Sequence, residues 1–151
     1  MNAKKTQVLI QDGGVEHCFE INKLYATEKV DFTNYVLGLM AKSGDNSGKI
    51  LENVMVLKNN ADVEDTGLDA LGLLTNAITS LLSNSSRDQK NEVMNMMISK
   101  CIHINGSVRL PVQDMNYLNS VFDDGFSIYK LFFECVKFNF NFLPQESQSN
   151  T

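Results

Sequence analysis

Gln113-Asp-Met-Asn-Tyr-Leu-Asn-Ser-Val-Phe-Asp-Asp-Gly-Phe126 runs directly into the most apolar segment of the chain, Ile128 to Leu143. Within this stretch Phe126, Tyr129, Phe133, Val136, Phe140 and Leu143 recur at spacings of three and four, which places them on one face of a helix. Ile128, Phe132, Cys135 and Phe142 form a second stripe beside the first. Lys130, Glu134, Lys137 and Asn141 repeat in the same way and make a narrow polar back. The pattern predicts a long amphipathic, aromatic-rich helix from Gly125 or Phe126, stopped by Pro144. Upstream, Asp123-Asp124-Gly125 breaks the apolar repeat, so a separate short helix is expected over 114–122 with Asp114 as its N-cap. Downstream, Gln145 to Thr151 is a polar tail with no apolar residue to bury.

Working back toward the N-terminus, His103 to Pro111 reads as a turn followed by a short extended piece, with Val108 and Leu110 on one side. Asp88 to His103 reads as a helix, with Val93, Met97 and Cys101 on one face and Met94 and Ile98 beside them. Gly67 to Ser83 is another, carrying Leu68, Leu71, Leu74, Ile78 and Leu81, and the short Ser83–Ser86 link predicts antiparallel packing of the two. Met94, Met96 and Met97 fit either an adaptable binding surface or ordinary core packing. Residues 59–66 form a polar loop in which Asp62, Glu64 and Asp65 lack the alternate spacing of a calcium loop. A short helix is expected over 49–58. Before it, Thr27 and Glu28 open a helix with Phe32, Tyr35, Val36, Leu39 and Met40 on its apolar face, and Ser43–Gly48 ends it.

The first part of the chain has a different period. Thr6–Ile10, the turn residues Asp12-Gly13-Gly14, and an alternation of Val15, His17, Phe19 and Ile21 against Glu16, Cys18 and Glu20 predict a β-hairpin over 6–24. Two strands are marginal alone, so the hairpin must lean on helices or pair with another strand. The expectation for the whole is a mainly α domain spanning 1–144. It comprises five to six helices, a short N-terminal hairpin and the aromatic C-terminal helix, with 145–151 as a tail.

Composition narrows the function. At 151 residues the chain can bury a core as one domain. A formal charge of −5, with no basic run beyond Lys4-Lys5, disfavours nucleic acid as a partner. No apolar run is long enough for a membrane span or a secretory leader, so a soluble cytosolic protein is expected. Cys18, Cys101 and Cys135 read as three reduced, mostly buried thiols. His17 and His103 are the only histidines, and Cys101 with His103 has no second ligand pair at zinc spacing. Gly13-Gly14 lacks the spacing and the lysine of a phosphate loop. Asp123 and Asp124 would diverge by roughly 100° on a helix, a poor arrangement for a paired acid and base. These readings predict no catalytic, cofactor or metal site.

The run Leu118-Asn-Ser-Val-Phe122-Asp123-Asp124-Gly-Phe126, then Tyr129, Leu131-Phe132 and Val136-Lys-Phe138-Asn139-Phe140-Asn-Phe142, resembles the C-terminal signature of tailed-bacteriophage tail assembly chaperones. Those proteins tend to carry a Phe-Asp-x-x-Phe element, a helix, and a Val-Asn-Phe close. The N-terminal order is similar too: a strand pair, then Leu24, Ala26 and Glu28 in a Leu-x-Ala-x-Glu arrangement, then an apolar helix. About thirty C-terminal residues carry the pattern. Here Asn139 sits in Phe-Asn-Phe, and the glycine that often follows the Phe is missing. The resemblance implies a non-enzymatic protein, made from a phage or prophage in the host cell cytoplasm. It would bind the tape-measure protein, help recruit tail-tube protein during virion assembly, and possess partner-binding aromatics: Phe126, Tyr129, Phe133, Phe140 and Phe142. A homo-oligomer is compatible with this. The alternative is a structural tail or baseplate component retained in the virion.

Overall fold

The computed structural model describes residues 4–43 and 78–140. The elements expected at 49–58 and 67–77, the acidic loop at 59–66, Phe142, the stop at Pro144 and the tail at 145–151 lie outside the described residues.

Strands β1 (Lys5–Asp12) and β2 (Val15–Asn22) form the expected hairpin, with Asp12 opposite Val15 and Leu9 opposite Cys18. Gly13, at the first turn position, has φ +63°, where a side chain would be strained. Helix α1 (Ala26–Ser43) follows. Its cap is two residues earlier than Thr27 suggests. The Glu28 carboxylate folds back to accept the Tyr25 N–H at 2.7 Å, so Tyr25 is the boundary residue. Residues 78–84 are helical, labelled α2, and bury Ile78, Leu81 and Leu82. Helix α3 (Arg87–Ile98) starts at Ser86, whose hydroxyl accepts the Gln89 N–H while the Gln89 side chain accepts the Ser86 N–H.

Here the structure departs from the mainly α expectation. The helix predicted through His103 ends at Ile98, and β3 (Ile102–Asn105) and β4 (Val108–Pro111) form a second hairpin. It pairs with the first, Phe19 against His103 and His103 against Leu110, giving one antiparallel sheet in the order β1-β2-β3-β4. The described residues therefore form an α/β fold with four antiparallel strands and helices, rather than a helical domain with a small hairpin. Two physical reasons account for it. The free edge of β2 needs a partner for its backbone groups. In addition, Ile102-His-Ile-Asn-Gly-Ser-Val-Arg-Leu has a Gly106-Ser107 turn between alternating apolar and polar residues, with Asn105 opposite Val108 and Gly106 at φ +64°.

Two helices close the described chain, α4 (Met115–Val121) and α5 (Gly125–Phe140). Asp114 caps α4 by accepting the Asn116 N–H, as expected. The helices cover one sheet face. Ile10, Phe19, Ile21 and His103 point into that layer, where they meet Phe32 and Val36 of α1, Val93, Met97 and Ile98 of α3, and Leu131 and Phe132 of α5. Burying each such apolar side chain contributes about 1.5–3 kcal/mol. On the other sheet face Glu20 and Arg109 pair at 2.8 Å, which holds the Glu20 carboxyl below its ordinary range.

Candidate functional site

The centre of the buried face of α5 is not the stripe led by Phe126. It is Ile128, Leu131, Phe132, Cys135 and Asn139, all buried. Phe126, Tyr129, Phe133 and Phe140 lie within roughly 60° of one another along the flank of that face. Their environments change along the helix. Phe126 is 73% exposed, Tyr129 and Phe133 are half-buried against the core, and Phe140 is buried. The reason is α1: its Phe32 packs on Phe140 with ring centroids 5.9 Å apart and on Phe132 at 6.4 Å. Helix α1 thus covers the C-terminal end of the stripe and leaves its N-terminal end open. Phe133 is held edge-on to Phe132 at 5.1 Å, so its ring is fixed although part of it faces water. The surface left is Phe126, Tyr129 and Phe133, and Phe140 belongs to the core.

Two side chains that the helical pattern does not reveal hold α5 in place. At its start, Asp12 from the hairpin turn accepts the Asp123 N–H at 2.9 Å, the Asp124 N–H at 3.1 Å and the Ser127 hydroxyl at 2.8 Å. The Asp123 N–H, followed by Ser127, keeps the Asp12 carboxyl below its ordinary range despite burial. A carboxylate there also suits the positive end of the helix. Lys130 reaches back to the Gln11 carbonyl at 3.2 Å, so the hairpin tip and the base of the aromatic surface form one rigid end of the molecule. At the other end, buried Asn139 accepts the Leu24 N–H at 2.7 Å and donates to the Cys135 carbonyl at 2.9 Å. It thereby ties the last turn of α5 to the link between β2 and α1.

The histidines and thiols missing from any sequence motif do come together. His103 Nδ1 lies 2.9 Å from the Tyr117 hydroxyl, and its Nε2 lies 3.4 Å from His17 Nδ1. The His103 ring stacks on Phe19 at 4.8 Å, and His17 meets Phe122 edge-on at 5.2 Å. Burial, then the charge of His17, pushes the His103 pKa down, and burial pushes Tyr117 up. A neutral His103 can accept at one nitrogen and donate at the other, so the row links β2, β3 and α4 and could pass a proton along it. Cys101 and Cys135 are both buried with sulfurs 3.3 Å apart, and burial, then the Cys101 contact, pushes the Cys135 thiol well up. Among the described residues no group of three or more His, Cys, Asp or Glu is placed to hold a metal ion. No described helix is long and apolar enough to cross a membrane.

Comparison with family models, with curated proteins and with solved structures returns no match to this chain.

Proposed function

We propose that this protein is a phage tail assembly chaperone, a non-catalytic protein of the infected host's cytoplasm. In this reading it binds the tape-measure protein and helps recruit tail-tube subunits. The observation that carries the reading is the exposed Phe126 at the head of an otherwise covered aromatic stripe, with Tyr129 and Phe133 continuing the surface on a rigid helix. Fixed aromatic side chains supply large contact area at low entropic cost and dominate binding energy at protein interfaces. Such a surface suits the apolar face of a long partner helix. The C-terminal pattern over 118–142 and the strand pair–helix order supply the kind of partner.

The test is a pull-down with tagged protein from infected or prophage-induced cells, read by mass spectrometry. A very long helical phage protein should elute with wild-type bait and be lost with Phe126→Asp. That variant should stay folded, within about 0.5 kcal/mol of wild type, because it alters a mostly exposed side chain. Unchanged capture by Phe126→Asp would rule out this surface. Absence of any long helical phage protein from the wild-type eluate would end the chaperone reading. A second reading, a tail or baseplate subunit retained in the virion, draws on β4, an edge strand whose four residues are all exposed. Stoichiometric protein in purified particles would favour it.

A further inference from the structure

Beside the C-terminal end of α5, the chain forms a cleft of about 780 Å³ between the β2–α1 link and the α3–β3 link. That volume lies in the range of small-molecule sites. Its composition departs from that of the chain. The sequence has 18 Asp and Glu against 13 Lys and Arg, yet among the described residues four lysines, Lys4, Lys23, Lys29 and Lys100, line this cleft and no carboxylate does. The lysines come from β1's approach, the β2–α1 link, α1 and the α3–β3 link, so only the fold brings them together.

Three of the four heads have defined partners. Lys29 Nζ donates to the Asn139 carbonyl at 3.3 Å. Lys23 lies over the Phe138 ring at 5.1 Å. Lys100 sits on the face of Tyr25, 3.2 Å from its centroid, and pairs with Glu28 at 2.8 Å. Glu28 therefore offsets part of the Lys100 charge. Burial opposes its ionisation, but the Lys100 contact and the Tyr25 N–H outweigh this and lower its pKa. The same carboxylate answers the Tyr25 N–H, so the site rests on the lysines and not on the start of α1. Like charges gathered in a concave site focus the field and favour a counter-charged ligand.

From this we propose that the cleft binds a small polyanion, a molecule with two or more adjacent phosphate or carboxylate groups. Ammonium groups act as point charges without the paired geometry of arginine, so the site selects for charge density over shape. The proposal is independent of the chaperone reading, because it uses none of Phe126, Tyr129 or Phe133.

The test is calorimetric titration of the full chain with inorganic tripolyphosphate, citrate and orthophosphate at low and moderate salt. Amide shifts of the wild-type protein are followed by NMR alongside it. Saturable tripolyphosphate binding is expected, with shifts concentrated at residues 23–29 and 99–102. Lys23→Gln with Lys29→Gln should weaken it roughly tenfold, whereas Lys90→Gln with Lys130→Gln, outside the cleft, should leave it unchanged. Citrate binding as well as tripolyphosphate would assign the site to charge density in general, and tripolyphosphate alone would assign it to phosphate groups. Either result supports the proposal. Shifts spread over all lysines, equal weakening by the two double variants, or no saturable binding would overturn it. The wild-type shift map decides the matter even if the cleft variant fails to fold.

Discussion

Asn139 has three tasks in one buried position. It accepts from Leu24 N–H, donates to the Cys135 carbonyl, and contacts the Met97 sulfur at 3.7 Å. Removing the side chain would strand a buried N–H and open a small void. Asn139→Ala is therefore expected to cost about 2–3 kcal/mol, measured by denaturant unfolding. A cost below 0.5 kcal/mol would mean water replaces the amide. His103 is the residue that makes stability depend on pH near neutrality. An unfolded imidazole takes up its proton at about pH 6.5. The folded one does so only at lower pH, because burial and the neighbouring His17 penalise its cation. The unfolded chain thus holds more protons in that window, so this contribution is complete above about pH 6.5 and declines as pH falls through the folded value. The melting temperature should drop between pH 6.5 and 5, and His103→Gln should flatten that slope. An equal slope in the variant would place the effect elsewhere. Asp12 and Glu20, whose folded pKa values are lowered, act in the same direction but only at pH about 4 and below.

The elements differ in how much of their boundary is local. Helices α3 and α4 carry their own caps, Ser86 with Gln89 and Asp114, and both stand where the sequence pattern puts them at their N-termini. Helix α5 also has a local cap, Asp124 accepting the Phe126 N–H at 2.9 Å, but the segment that carries this cap is held from 111 residues away by Asp12. Reading Asp12 only as a turn residue captures its backbone role and misses the carboxylate's partners. Asp12→Ala should lower the melting temperature and loosen the start of α5, seen as faster amide exchange at Asp123 and Asp124. Asp12→Asn, which keeps an acceptor, should fall between wild type and Ala. Unaltered exchange at those amides in Asp12→Ala would contradict the clamp. The β3–β4 hairpin was legible in part. Val108 and Leu110 share a face as expected, but the apolar run Met94–Cys101 also fits helical spacing and hides where the helix stops.

For the molecule as a whole, one apolar layer joins β1, β2 and the described helices, and two thiols sit inside it. Cys101 and Cys135 are buried, whereas Cys18, on the outer face of β2, is partly exposed. An aromatic disulfide reagent at neutral pH should label Cys18 rapidly and the other two only as fast as the domain opens. Rapid reaction of all three would show that the layer opens locally around α5. The candidate surface also belongs to this level. Phe126, Tyr129, Phe133 and Phe140 were legible as a helical stripe, but their separation into exposed Phe126, half-buried Tyr129 and Phe133, and buried Phe140 depends on where Phe32 of α1 packs on α5.

Local spacing was enough to establish the first hairpin, the apolar face of α1, the cap at Asp114, the break at Asp123-Asp124-Gly125 and the start of α5. Each depends on residues within a few positions of one another: a glycine that accepts positive φ, a side chain that reaches an N–H two residues on, an apolar repeat of three and four. Tertiary structure decided that His103 lies in a strand, that α5 is held by Asp12 and Asn139, that four lysines share a cleft, and which end of the aromatic stripe meets water. Those outcomes rest on partners far apart in the chain, and the need to pair a sheet edge and satisfy buried polar groups selects them only once the layers have met.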